Sequence, residues 1–412
     1  MATQQQSFIS LESLNILQGL QVDGTVENNH RRIRRGVLRD SSDDQTWDEE
    51  VILPLYVNSI EALRFIGLKK DSARQVLQAF NSEYYVHGHP STSLHPYDLI
   101  EFATGHLEGK PDAVTSEDDW LTVLKGLGVR RSLREAICDP LYDHIRFTKS
   151  AKEWAQETFD DSWAFLTTAD HKIKSQRARL ENNVRTRRGQ QATQVPQAGH
   201  LDPQQIPSGS IPIVAEAEDI PQLPSNKVLL YKGGATDRLK NFVRTNGTLN
   251  PQGIVSTPPG DFARQKYIWY FSKQKSVAWD YAQYAKNRNP AIECGMVILA
   301  VPKELLQNPY EVRGDEWRTL VWSSRGPNYD EEEIAVQESY SQHALLLGPC
   351  CHMGDAGIAR LNDKSELLQM QTGTGEKAEQ WVIMQAALMA RICDAAKDNV
   401  WLQVSHKKVE ST

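Results

Sequence analysis

Six prolines, at positions 196, 203, 207, 212, 221 and 224, fall between residues 189 and 226 among Gln, Gly and Ser. Proline lacks a backbone N–H and fixes φ, so such a run sustains neither a helix nor an interior strand. The chain is therefore expected to divide here: a polar N-terminal arm over 1–49, a helical domain over 50–188, a disordered linker over 189–226 and a mixed α+β domain over 227–412, α+β overall. Its 412 residues suffice for two ordinary domains.

Upstream of the prolines, cap-type Asn58 and Ser59 precede apolar Leu63, Ile66, Val76, Leu77 and Phe80, which predicts two helices split between Gly67 and Asp71. Ser116 to Trp120 reads as an acid-rich first turn, and 132–138 and 150–167 continue the helical pattern, the last with an aromatic face of Trp154, Phe159, Trp163 and Phe165. Downstream, strands are predicted at 227–231, 254–257, 266–271, 295–301, 317–322 and 344–347, and helices at 237–245, 276–286 and 378–396.

With 40% hydrophobic and 24% charged residues, composition excludes wholesale disorder and fibrous arrays. No apolar run approaches the roughly 20 residues of a membrane span, and Met1 to Ser10 has neither secretory nor mitochondrial import character, so a cytoplasmic, membrane-free protein is expected. The five cysteines are odd in number with no CxxC spacing, which predicts reduced thiols and no metal site. Cys350-Cys351-His352 reads either as a thiol nucleophile or as buried structural cysteine.

The net charge of −7 argues against general polyanion binding, DNA included, but the cations are clustered. Arg31, Arg32, Arg34, Arg35 and Arg39 precede an acidic stretch, 43–50, able to neutralise them. Lys172, Lys174, Arg177, Arg179, Arg185, Arg187 and Arg188 stand against the single acid Glu181 in a segment free of Pro and Gly. A basic helix there can follow a phosphate backbone, or can be a solvated face running into the linker.

There is no P-loop, GxGxxG, HExxH or GxSxG. The run Asp330-Glu331-Glu332-Glu333 offers carboxylates that raise one another's pKa and can grip a guanidinium, although D-x-x-E spacing recurs at Asp98/Glu101 and Asp363/Glu366. A second constellation is Tyr231-Lys232-Gly233-Gly234, Ser256-Thr257 and the aromatic segment 267–288, with Glu311 or Glu316 downstream. That order resembles ADP-ribosyltransferase domains. The resemblance implies a glutamate orienting the ribose of NAD and aromatics stacking on nicotinamide; Tyr231 and Lys232 stand where those enzymes carry Arg or His.

The segments LLYKGG (229–234), PPGDF (258–262), 267–285, DEWRTLVWSSR (315–325) and EQWVIM (379–384), behind 137–159, also resemble the fungal arginine-containing cyclodipeptide synthases. This resemblance implies a tRNA-dependent aminoacyltransferase that condenses arginyl-tRNA with a second aminoacyl-tRNA into a diketopiperazine. It carries an acidic motif onto Asp330 and Glu333 as the catalytic pair, with Tyr329 where a doubled Asp would stand. Glu331, Glu332, Tyr231 and Tyr267 would bind substrate, and the 172–188 helix would hold tRNA. An aminoacyl ester is already activated, so neither cofactor nor metal is expected. The readings open at this point are that synthase, an NAD-consuming ADP-ribosyltransferase using Glu311 or Glu316, and a non-catalytic interaction protein.

Overall fold

The computed structural model describes residues 6–19, 23–27, 29–39, 49–86, 89–90, 99–110, 120–190, 211–214, 223–244, 246–327 and 330–404. Two compact units emerge, residues 1–106 with 159–207 and residues 107–158 with 208–412. One packing boundary, 207/208, falls within the proline run; the other two, 106/107 and 158/159, lie upstream of it.

In the first unit, α1 (Leu11–Gly19) is followed by β1 (Asp23–Glu27), β2 (His30–Arg34) and β3 (Glu50–Pro54), an antiparallel sheet in the order β1-β2-β3. The expected polar arm is thus structured, because Ile16, Leu17, Ile33, Val37 and Leu38 supply enough apolar surface to bury. Arg32 and Arg35 meet Glu50 and Glu49, each at 3.3 Å, so the acidic stretch does neutralise part of that basic cluster. After α2 (Ile60–Ile66) come α3 (Lys70–Tyr84), the short pair β4 (Tyr85–Val86) and β5 (His89–Pro90), and α4 (Leu99–Glu108). α2 starts where Ser59 Oγ accepts the Ala62 N–H at 3.0 Å and stops at Gly67, whose φ of 138° suits glycine. Phe65 stacks on Phe165, and Phe8 meets Trp163 edge-on.

The second unit opens with α5 (Trp120–Gly126), α6 (Arg131–Ile137) and α7 (Asp143–Arg146), and takes in the start of α8 (Ala151–Gln190). Two four-stranded sheets follow. One comprises β6 (Ile213–Val214), β7 (Lys227–Ala235), β9 (Cys294–Pro302) and β13 (Val400–Val404) in the order β6-β13-β9-β7. The other comprises β8 (Trp269–Phe271), β10 (Tyr310–Glu311), β11 (Leu345–Pro349) and β12 (Glu379–Ile383) in the order β10-β11-β12-β8. A bridge between Tyr231 and Ser272 ties β7 to the end of β8. The helices are α9 (Thr236–Leu239), α10 (Lys275–Arg288), α11 (Gly314–Arg325), α12 (Glu331–Ser341), α13 (Asp355–Ile358) and α14 (Ala386–Ala396). A mixed α+β fold is therefore what this chain forms.

Three expectations are corrected here. Part of the linker is ordered: Ile213–Val214 pairs in parallel with β13, and Ile211 is buried in the core. Residues 317–322 are helical, since Trp317, Leu320 and Val321 recur at helical spacing and the Trp317 indole donates to the Pro349 carbonyl at 2.9 Å. Residues 378–396 are a strand followed by a helix. Gln380, Trp381, Val382 and Ile383 are buried, as a central strand flanked by β11 and β8 requires.

The main core gathers Leu230, Trp269, Phe271, Val297, Leu299, Trp381 and Met389, and a second cluster holds Phe262, Trp317, Leu346 and Val382. α10 lies so close to β7 that a Cβ at Gly233 would sit 1.7 Å from the Ala278 carbonyl oxygen.

Candidate functional site

β7 alternates its side chains, and the two faces meet different surroundings. Tyr231 is half-buried against Ala278, Met296, Ile298 and Trp401. Lys232 points the other way, its Nζ donating to Ser256 Oγ at 3.1 Å and reaching the Tyr270 carbonyl at 3.4 Å. Ser256 is positioned by its backbone bridge to Ile268, one residue before β8. The polar strand end, the Ser/Thr segment and the aromatic strand thus converge on one ammonium. Burial lowers the Lys232 pKa to about 8, with Lys149 and Arg238 adding repulsion and Glu157 opposing it.

Beside this group lies a buried charge cluster. Arg288, its guanidinium 4.4 and 4.7 Å from the ring centroids of Trp154 and Tyr284, holds Glu157 at 2.8 Å. Lys149 holds the same carboxylate. Burial alone would raise the Glu157 pKa, but these cations keep it well below the usual range. A second network centres on Asp261. It accepts from Arg325 Nη1, the Cys351 N–H and Gln380 Nε2, each at 2.8 Å, while Arg325 Nε reaches Asp355 at 2.6 Å. Arg325 is thereby raised well above its ordinary pKa despite burial.

The glutamates expected to complete an ADP-ribosyltransferase site stand elsewhere. Glu311 is on β10, at the opposite edge of the sheet from β8, and pairs with Arg313. Glu316 accepts from the phenols of Tyr310 and Tyr340. The glutamate on the strand adjoining β8 is Glu379. Its N–H donates to Gln274 at 2.8 Å, its carbonyl accepts from Ser272 at 2.8 Å, and its carboxylate pairs with Arg313 at 2.5 Å. The sequence conceals its strand setting because 378–396 reads as one helix, and the β-branched pair Val382–Ile383 after Trp381 is the signal for a strand.

The acidic run is placed differently from expectation. Asp330, Glu331 and Glu332 are exposed and Glu333 is partly so. Asp330 is the N-cap of α12, accepting the Glu332 and Glu333 N–H groups at 2.9 and 3.4 Å. The Asp330–Glu333 contact lowers the pKa of the first and raises that of the second. Tyr267 is 61% exposed. Among the described residues, no hydrogen bond or ion pair joins this run to Tyr231 or Tyr267.

In the basic segment, the helix is present, but Lys172 is buried with its ammonium over the Phe165 ring, and Lys174 is engaged by Glu12 and Asp170. Burial withdraws Lys172 from the surface the tRNA reading needs, whereas Lys174 stays partly exposed beside its two carboxylates. The side chains of Arg177, Arg179, Arg185, Arg187 and Arg188 lie outside the described residues, as does Asp98.

All five cysteines are free, and burial pushes the thiols of Cys138, Cys350, Cys351 and Cys393 up, the last to about 12. That favours the structural reading of Cys350-Cys351 over the nucleophilic one. Among the described residues, no cluster of three or more His, Cys, Asp or Glu is placed to hold a metal, and no helix is long and apolar enough to cross a membrane. No protein family, curated protein or solved structure matches this chain.

Proposed function

We propose that the second unit is an NAD-using, ADP-ribosyltransferase-like enzyme whose reaction centre is built round Lys232. The observation that carries the reading is the meeting of Lys232 Nζ with Ser256 Oγ and the Tyr270 carbonyl where β7 is bridged to β8. Three segments, the second and third separated by 24 and 38 residues from Lys232, converge there in the order the resemblance implies.

In this reading Lys232, which has only donors, holds oxygens of the dinucleotide. The bond between ribose C1′ and the nicotinamide nitrogen breaks, nicotinamide leaving with the electron pair. An acceptor nucleophile then bonds to C1′ and gives up its proton. Positive charge develops on the ribose, and Glu379, one strand beyond β8, is the carboxylate assigned to stabilise it.

The aminoacyl-transfer reading has less to rest on, since Asp330, Glu331 and Glu332 are exposed and only Glu333 is partly buried. Titrating NAD into the full chain tests the proposal. Saturable binding that weakens at least tenfold in Lys232→Ala supports it. Unchanged affinity in that variant, or a diketopiperazine formed from arginyl-tRNA and a second aminoacyl-tRNA, would overturn it.

A further inference from the structure

A cavity of about 280 Å³ opens on another part of the second unit, lined in part by Trp120, Phe147, Lys149, His352, Met353 and Arg360. Neither Lys232, Ser256 nor Tyr270 lines it. We infer that this cavity binds a small aromatic carboxylate at a site separate from the Lys232 centre.

The walls argue for a flat apolar body. Trp120 and Phe147 meet edge to face at 5.9 Å and 89°, and Phe147 meets His352 in the same way at 5.6 Å and 81°. Met353, Ala356, Leu361 and Leu368 complete the apolar lining. The site is built by close approach: a Cβ at Gly354 would fall 2.4 Å from the Lys149 carbonyl carbon and 2.7 Å from the Ser150 nitrogen. Only glycine lets the 352–357 turn close against residues 149–150 in this way.

The polar groups argue for an anion. Lys149 and Arg360 both line the cavity, and no Asp or Glu does. The Lys149 ammonium is held by Glu157 and lies over the Trp154 ring, neither of which lines the cavity, so Arg360 is the cation assigned to the anion. Arg360 gives Nε to the Ala356 carbonyl at 3.0 Å, one of its five donors. At ~30 Å³ per water in the liquid, the volume corresponds to about nine waters, which suits one ring with a short acidic chain rather than a nucleotide.

Calorimetric titration of the full chain with 3-phenylpropionate, its amide and phenyl phosphate tests this. The carboxylate should bind once per chain, about tenfold tighter than the amide. It should also lose affinity about tenfold in Ala356→Phe, which fills the cavity, and several-fold in Arg360→Met, both with unchanged circular dichroism. Phenyl phosphate binding more tightly than the carboxylate would reassign the ligand class and overturn the proposal as stated. Equal affinity for acid and amide, affinity untouched by Ala356→Phe, or no binding of any probe would also overturn it. None of these outcomes depends on whether NAD binds at Lys232.

Discussion

Lys232 is the residue on which the functional reading turns, and its titration gives the reading a sign. With its pKa lowered to about 8 by burial, it is an ammonium below that pH and an amine above it. NAD affinity should therefore fall as pH rises through about 8, and this dependence should be absent from Lys232→Met when binding is followed by calorimetry across pH. Stability moves the other way. Between about 8 and the ordinary lysine value of 10.5 the unfolded chain binds more protons, so Lys232 makes the fold more stable as pH rises through that window. Asp261 carries a different kind of claim. It pairs with buried Arg325 and holds Gln380, the neighbour of Glu379, so Asp261→Ala should cost about 3–5 kcal/mol in denaturant unfolding by leaving Arg325 to Asp355 alone and the Cys351 N–H without its acceptor.

At the level of elements, close approach and capping decide more than propensity. Gly233→Ala would drive a methyl into the α10 backbone, and urea unfolding should show about 1–3 kcal/mol lost. Ser59→Ala should cost about 1 kcal/mol through the α2 N-cap. Caps also explain what the sequence made legible and what it did not. The D-x-x-E spacing looks like a pair of working acids, yet Asp330 caps α12 and Asp363 with Glu366 forms a capping box. The same spacing serves both purposes, and only exposure separates them. β7, β9 and α10 were readable because β-branched runs and helical periodicity are local signals. The helical state of 317–322 was hidden by its Trp and Val content, and Glu379 by the continuity of apolar residues from β12 into α14. The Asp261–Arg325 network was not readable at all, since its partners are separated by 64 and 30 residues in sequence.

For the whole molecule, the division of the chain matters most. Residues 107–158 pack with the C-terminal part: the Tyr284 phenol donates to the Ile137 carbonyl at 2.7 Å, and Trp154, Glu157 and Thr158 bury Arg288. Expressed alone, residues 208–412 would expose an apolar face and strand a guanidinium, so they should lack the cooperative unfolding transition of the full chain in calorimetry. The composition break at the prolines thus marks one packing boundary, 207/208, and misses the two at 106/107 and 158/159. The most direct test of the account is release of free nicotinamide from nicotinamide-labelled NAD by the full chain. Release that saturates with NAD and disappears in both Lys232→Ala and Glu379→Gln is the predicted result. A properly folded chain that releases none, or variants that release it at the full rate, would contradict it.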